Sequence, residues 1–240
     1  MIKSTLFKVS LKLYELVCGV TPNLSIAHFD YSATVRLFRV LRLPLSQLKG
    51  SVLDVGCGQA TYKKLLTGIE KYVGLETDPY SGAEIIIKPD ESRPVADKSF
   101  DNIIALQVLE HVDDLNAVLG EINRVIKPHG TLIISIPFLY NEHGSPNDYR
   151  RLTVKGLHSL LEKDYDSIVV TKIGGIGTTL TILLLNFCVK FKYTRVVIPL
   201  VFPVWLIMCV ALNVTALILD KADNTEMFYN NIVLRARRHD

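Results

Sequence analysis

Through the middle of the chain, short apolar runs rich in β-branched residues alternate with polar turns. Val52, Leu53 and Val55 form the first run, a buried strand that leads through Asp54 into Gly56-Cys57-Gly58. Tyr62 to Thr67 reads as the start of a helix. Lys71 to Glu76 is a second strand, ending in a carboxylate, and Glu84 to Ile87 a short third. Ser99 to Leu106 is a fourth. A helix capped by Asp113 or Asp114 then runs to about Ile126. Lys127 to Gly130 is the turn before a fifth strand, Thr131 to Ile136. Thr153 caps a helix through Lys163, and Tyr165 to Lys172 is a sixth strand. Strands that alternate with helices in this way predict an α/β, doubly wound parallel sheet.

The flanks follow other periods. Leu6, Val9, Leu13, Leu16, Val17 and Val20 recur at helical spacing between Lys3, Lys8, Lys12 and Glu15, so residues 1–20 read as an amphipathic helix. Lys8 and Lys12 break its apolar run too early for a signal peptide. Such a helix can lie on anionic lipid or pack over the neighbouring domain. Thr21-Pro22-Asn23 is a turn. Residues 31–42 form a second helix, ended by Pro44. After the sixth strand come two uncharged runs, Ile173 to Val189 and Val196 to Leu219. The second is long enough to cross a bilayer, with Pro199 and Pro203 expected to kink it. The chain thus divides into leading helices (1–47), an α/β core (48–172), an apolar helical insertion (173–225), and a last strand with a basic tail (226–240).

Composition changes this picture little. The 240 residues suffice for one α/β domain with additions, and 49% are apolar. The mean hydropathy of +0.27 is raised by the insertion. A net charge of +3 is too small to argue for nucleic acid. Basic residues gather at the ends and near 190–195, which suits a membrane surface. Cys18, Cys57, Cys188 and Cys209 show neither disulfide nor metal-ligand spacing, and no metal is expected.

The chemistry begins at the glycine turn. Two glycines one residue apart allow a tight turn and close approach of a ligand to the backbone. Thr61 stands where a full dinucleotide fingerprint wants Gly or Ala, so the nucleotide-like cofactor need not be a dinucleotide. Glu76, at the end of the second strand, is placed to accept from both ribose hydroxyls. Val-Leu-Asp-Val-Gly-Cys-Gly resembles the first motif of class I S-adenosylmethionine-dependent methyltransferases. Ser-Phe-Asp-Asn-Ile-Ile, Val-Leu-Glu-His-Val and Glu-Ile-Asn-Arg-Val-Ile-Lys-Pro-His-Gly-Thr-Leu-Ile-Ile-Ser-Ile-Pro resemble the later motifs, in order. The resemblance covers roughly 48–172. It implies a Rossmann-like seven-stranded sheet whose antiparallel last strand is Phe228 to Arg235. It implies S-adenosyl-L-methionine as cofactor, held by Asp54, Gly56, Cys57, Gly58, Glu76, Thr77, Asp90, Gln107 and His111. The cofactor's carboxylate would sit on backbone amides at the helix start.

Residues 137–153 leave the fifth strand where open α/β sheets bind ligands. They resemble a methyltransferase subgroup, associated with cell-envelope glycan and lipid pathways, that carries Pro-Phe, a His and Asp-Tyr-x-Arg-x-Thr. His143 is the candidate general base, with Asp148 and Tyr149 as catalytic candidates. A purely structural reading stands beside this one: Asp148 and Arg151 pair to fix the loop, and His143 is scaffold. The resemblance implies methylation of a hydroxyl on a glycan or lipid-linked intermediate. A quinone or other lipid-soluble small molecule is the alternative acceptor, and a cofactor-binding scaffold without turnover is the non-enzyme alternative. A cytosolic cofactor puts both ends of the insertion inside. Its tip, from Lys190 through Lys192 to Arg195, would then lie outside, against the positive-inside tendency. The favoured expectation is a cytoplasmic protein whose monotopic or re-entrant hairpin dips into the cytosolic leaflet. An apolar lid or dimer surface, and true spanning, are the other two readings.

Overall fold

The computed structural model describes residues 12–21, 23–88, 95–190 and 201–240. Seven strands are present: β1 (Gly50–Val55), β2 (Ile69–Glu76), β3 (Ile85–Ile86), β4 (Phe100–Leu106), β5 (Ile126–Pro137), β6 (Tyr165–Ile173) and β7 (Asn231–Arg238). They form one sheet in the order β3-β2-β1-β4-β5-β7-β6. The pairings β1–β2, β1–β4, β2–β3 and β4–β5 are parallel, and β7 runs antiparallel to β5. This is the Rossmann-like architecture expected. The helices are α1 (residues 12–18), α2 (Tyr31–Ser46), α3 (Leu115–Val125), α4 (Val154–Leu161), α5 (Ile176–Lys190) and α6 (Phe202–Ala222).

The central strands are apolar on both faces, as parallel strands must be when helices cover the sheet. Val52, Leu53, Ile103, Ile104, Leu132, Ile133 and Ile134 are all buried. Asp54, opposite Gly74 and Ile104, is the polar exception in β1.

Several boundaries differ from the sequence reading. The helix expected from Tyr62 is a single 3-10 turn, Lys63–Leu65, with no side-chain cap. Lys127 to Gly130 does not turn before the strand. These residues lie within β5 as a bulge: Phe100 pairs with Ile126 and Asn102 with Thr131, so four residues stand against Asp101 alone. His129 takes a φ of 60° there, which the bulge demands. Pro44 lies inside α2 rather than ending it. Pro203 sits in the first turn of α6, where a missing N–H costs nothing, so it starts the helix instead of kinking it. β7 begins three residues later than expected. Pro199, Asp90, most of residues 1–20 and the basic tip beyond Lys190 lie outside the described residues.

The chain divides into two units. One comprises Arg39–Phe138, Glu142–Lys172 and Asn231–Asp240 and holds the sheet. The other comprises the described residues of 1–38 together with Leu139–Asn141 and Ile173–Asn230, so the leading segment and the insertion group together. In this helical unit α6 caps α5: the Asp220 carboxylate accepts from the Thr178 amide at 2.9 Å and Asp223 from the Ile176 amide at 3.0 Å. Arg36 pairs with Asp220 at 2.8 Å. Asn213 accepts from the Ser32 hydroxyl at 2.5 Å and donates to the Ile26 and His28 carbonyls.

The helical unit has an apolar core of Leu185, Trp205 and Cys209, but it also buries polar side chains and exposes large apolar ones. Its polar side chains Thr178, Thr179, Thr181, Asn186 and Asn213 are buried, while Leu180 is 54%, Phe187 66%, Ile207 69% and Ile218 64% exposed. Helix α6 is 21 residues long with a mean hydropathy of 2.3 in its most apolar stretch.

Candidate active site

The carboxyl ends of β1 and β2 meet at the glycine turn. Gly56 has a φ of 67°, and a Cβ there would come within 2.2 Å of the Val108 side chain. Only glycine lets the turn and the β4 exit close on one another. A Cβ on Gly58, by contrast, would meet nothing within 4 Å. Open space therefore lies over this turn, beside a carboxylate: the Gly58 amide donates to Glu76 Oε2 at 2.9 Å, and the Thr77 amide to Oε1 at 2.7 Å. The Thr77 hydroxyl also donates to Oε1, at 3.1 Å. A carboxylate offers about four acceptor positions, so Glu76 retains capacity for one further hydroxyl, and for a second if Thr77 turns away. These residues fit the ribose end of a nucleoside cofactor.

The other expected cofactor residues divide. The Asp54 carboxylate accepts from the Tyr72 hydroxyl at 2.8 Å, and burial pushes its pKa up to about 7. The Cys57 thiol lies against β2, where a Cβ on Gly74 would meet its sulfur at 2.7 Å, and burial raises its pKa to about 11. Gln107, in a left-handed conformation at the end of β4, donates from Nε2 to Ser135 Oγ at 3.1 Å and to Asn231 Oδ1 at 2.8 Å. No helix start exists to receive the cofactor's carboxylate on its amides, because the 3-10 turn replaces it. That expectation fails on the shortness of the connection between Gly58 and β2.

A second cluster forms where the β4 exit meets the loop after β5. Glu110 is fully buried, and neither of its oxygens has a hydrogen-bond partner among the described residues. Burial lifts its pKa to about 7. Its Oε1 lies 3.8 Å from His111 Nε2 and 3.7 Å from His143 Nε2. The two imidazoles meet edge to face, with centroids 4.8 Å apart.

The loop is tied to the β4 exit at several points. His111 Nδ1 donates to the Asn147 carbonyl at 2.5 Å, and the Tyr149 amide donates to the Glu110 carbonyl at 2.9 Å. Arg150 donates to the carbonyls of Leu109, Val112 and Asp113. Gly144, with a φ of 66°, makes room for the His111 ring, which a Cβ would approach to 2.7 Å. Asp148 is held by Arg151 at 2.5 and 2.7 Å and accepts from the His143 amide at 2.8 Å. The Arg151 hydrogen bond holds the Asp148 carboxyl far below the usual carboxylate range. His143 Nδ1 lies 3.4 Å from Asp148 Oδ2 and from Arg151 Nη2. Tyr149 is half exposed, its hydroxyl donating to Asn147 Oδ1 at 3.3 Å.

Of the expected residues, then, His143, Asp148 and His111 come together, and Glu76 joins the glycine turn. Sequence reasoning missed Glu110 as the centre of the second cluster, and Asn147 and Arg150 as its supports. One signal was present: a carboxylate inside the apolar Val-Leu-Glu-His-Val run must be buried for a purpose. A polar cavity of about 310 Å³ beside Lys49, Asp101, Lys127 and Arg235 opens at the other end of the sheet and has no part in either cluster.

Residues 53–134 match the family model of a methyltransferase domain. Over that stretch the chain is similar to methyltransferase domains, and the sheet has the class I methyltransferase fold. Its sequence relatives include an O-methyltransferase of Aspergillus nomiae, 32% identical over 133 residues, covering 48% of this chain and 58% of the relative. A ubiquinone biosynthesis O-methyltransferase of Rhodopseudomonas palustris is 28% identical over 121 residues, covering 45% of this chain and 48% of the relative. The chain spans about half the length of the curated relatives it matches. Among solved structures, a phosphoethanolamine N-methyltransferase of Haemonchus contortus bound to S-adenosylhomocysteine superposes with a TM-score of 0.57 at 15% identity, covering 95% of this chain and 56% of that one. A methyltransferase of Archaeoglobus fulgidus superposes with a TM-score of 0.54 at 17% identity, covering 87% and 97%. At such identities the superpositions establish the methyltransferase fold alone.

Proposed function

We propose that the chain methylates a hydroxyl of a lipid-linked or otherwise membrane-borne acceptor, with S-adenosylmethionine as cofactor. Bound S-adenosylmethionine supplies the methyl group from its sulfonium and leaves as S-adenosylhomocysteine, while the acceptor hydroxyl gives up one proton. Every other task falls to this chain. Glu76 orients the ribose, and the open face of Gly58 admits the cofactor against bare backbone. His143 Nε2 accepts the proton, Asp148 holds the ring through Nδ1, and the Glu110 carboxylate beside Nε2 stabilises the imidazolium that results. Well-oriented reactants gain on the order of 10⁵ M or more in effective concentration, so alignment supplies much of the acceleration.

The observation that carries the reading is the Glu110, His143 and Asp148 constellation, where the β4 exit meets the loop after β5, at the end of the sheet where α/β folds bind ligands. The apolar side chains that the helical unit exposes support a membrane-borne acceptor. Burying one large apolar side chain is worth ~1.5–3 kcal/mol, so the several exposed on α5 and α6 favour lipid by many times thermal energy. Helix α5, at 15 residues or about 22 Å, is too short to span. Both ends of the hairpin rejoin the sheet, so it dips into one leaflet. A polyprenyl quinone precursor is a second acceptor class, favoured by the ubiquinone relatives.

The test is transfer of labelled methyl from S-adenosylmethionine into a membrane extract, separated into quinone, glycolipid and soluble glycan fractions. Label in a lipid fraction, lost in His143→Ala with cofactor binding retained, is the expected result. Label confined to soluble glycan, or no turnover by protein that binds the cofactor, overturns the reading.

A further inference from the structure

We infer that Glu110, His111 and His143 form a binding site for one divalent transition-metal cation of the zinc kind. Each offers one ligand atom, and the three atoms lie within 4.8 Å of one another. Nitrogen and oxygen ligands at about 2.0–2.2 Å from a tetrahedral zinc stand about 3.3–3.5 Å apart. The separations of 3.7 and 3.8 Å from Glu110 Oε1 to the two Nε2 atoms are a few tenths of an ångström wider, and with all three atoms within 4.8 Å of one another, rotation of the two imidazole rings brings them to those spacings.

Two features point to a cation. First, Glu110 is fully buried with both oxygens unpartnered among the described residues. A buried carboxylate normally has hydrogen bonds or a metal to offset its lost hydration. Second, both imidazoles are set up as ligands by the groups behind them. A carbonyl can only accept, so His111 Nδ1 carries the hydrogen given to Asn147, which leaves Nε2 with its lone pair toward Glu110. His143 Nδ1 lies 3.4 Å from both Asp148 Oδ2 and Arg151 Nη2; when it pairs with the carboxylate, as metal-bound imidazoles do, its Nε2 is left for the cation. Asp148 is fixed in turn by Arg151, and the backbone flanking Glu110 and His111 by Arg150.

Two nitrogens and one oxygen suit zinc, iron(II) or manganese better than magnesium, which prefers six oxygens. Three protein ligands leave coordination open to an acceptor oxygen, whose proton the cation makes more acidic. The cation thus takes over the task otherwise assigned to His143, with the proton passing to solvent. This consequence rests on the methyl-transfer reading; the binding does not. The absence of metal-type spacing among the cysteines gave no hint of it, because the ligands come from two separate loops.

The full chain in detergent, stripped with chelator and freed of any affinity tag, is titrated with zinc chloride by calorimetry. Separate titrations with S-adenosylmethionine report the cofactor site. One equivalent of zinc is expected, with affinity lost by at least tenfold in Glu110→Gln and His143→Ala, and reduced roughly 10–100-fold in Asp148→Asn. His158→Ala, at a histidine outside the cluster, is expected to leave it unchanged. Circular dichroism melts identify variants that fail to fold, and Glu110→Gln, which conserves shape, decides if another does. Failure of folded wild type to bind zinc, or binding unaltered in both Glu110→Gln and His143→Ala, overturns the inference. Cofactor titrations that stay normal throughout leave the methyltransferase reading standing in either event.

Discussion

At the scale of single residues, the second cluster depends on positions that do no chemistry. Gly144 is the sharpest case, since its left-handed backbone and the 2.7 Å approach to His111 both exclude a side chain. Gly144→Ala should cost roughly 1–3 kcal/mol of backbone strain. The melting temperature should drop by several degrees, and methyl transfer should fall more than tenfold as the loop is displaced. Asp54 makes a different prediction. Its pKa is raised from the ordinary carboxylate value to about 7 by burial. The folded state therefore holds a proton that the unfolded chain has lost, between about pH 4 and pH 7. Stability is fully present below that window and declines as pH rises through it. Asp54→Asn should flatten the slope of melting temperature against pH across the window. An unchanged slope would place the titration elsewhere. Glycine turn and Glu76 were legible in the sequence because each needs only local spacing. The burial of Glu110 could be read from its apolar neighbours, but its role could not, because that comes from His143 in a separate loop.

At the scale of elements, the sequence reading succeeded where one force dominates and failed where two compete. The parallel strands were legible from apolar runs alone. The cap of α3 on Asp114 and of α4 on Thr153 followed from residue type, and both caps are present at 3.0 Å. Thr153→Ala should cost ~1 kcal/mol, measured by denaturant titration. Lys127 to Gly130 carried every mark of a turn, yet pairing with β4 absorbs them as a bulge. The expected helix after Gly58 gave way because too few residues separate the turn from β2. In the hairpin, Ile207→Glu and Phe187→Glu should leave the fold intact, since both side chains are exposed. Each should reduce recovery of the protein with lipid vesicles severalfold. Asn213→Leu should instead destabilise by roughly 1–3 kcal/mol, because Ser32 and two carbonyls lose their partner. Equal vesicle recovery for wild type and the glutamate variants would exclude lipid as the medium for this face.

At the scale of the whole molecule, chain order and sheet order disagree in one place. β7 lies between β5 and β6 in the sheet, yet the apolar hairpin separates β6 from β7 in sequence. A ribosome delivers the hairpin before it delivers residues 231–238. Until those residues emerge, β5 presents a bare edge of unpaired amides and carbonyls, the kind of edge that recruits stray strands. The nascent sheet is thus unfinished while the chain's greasiest segment is already made. Engagement of the hairpin by lipid during synthesis would hold the open sheet at a surface, away from other chains, until its last strand arrives.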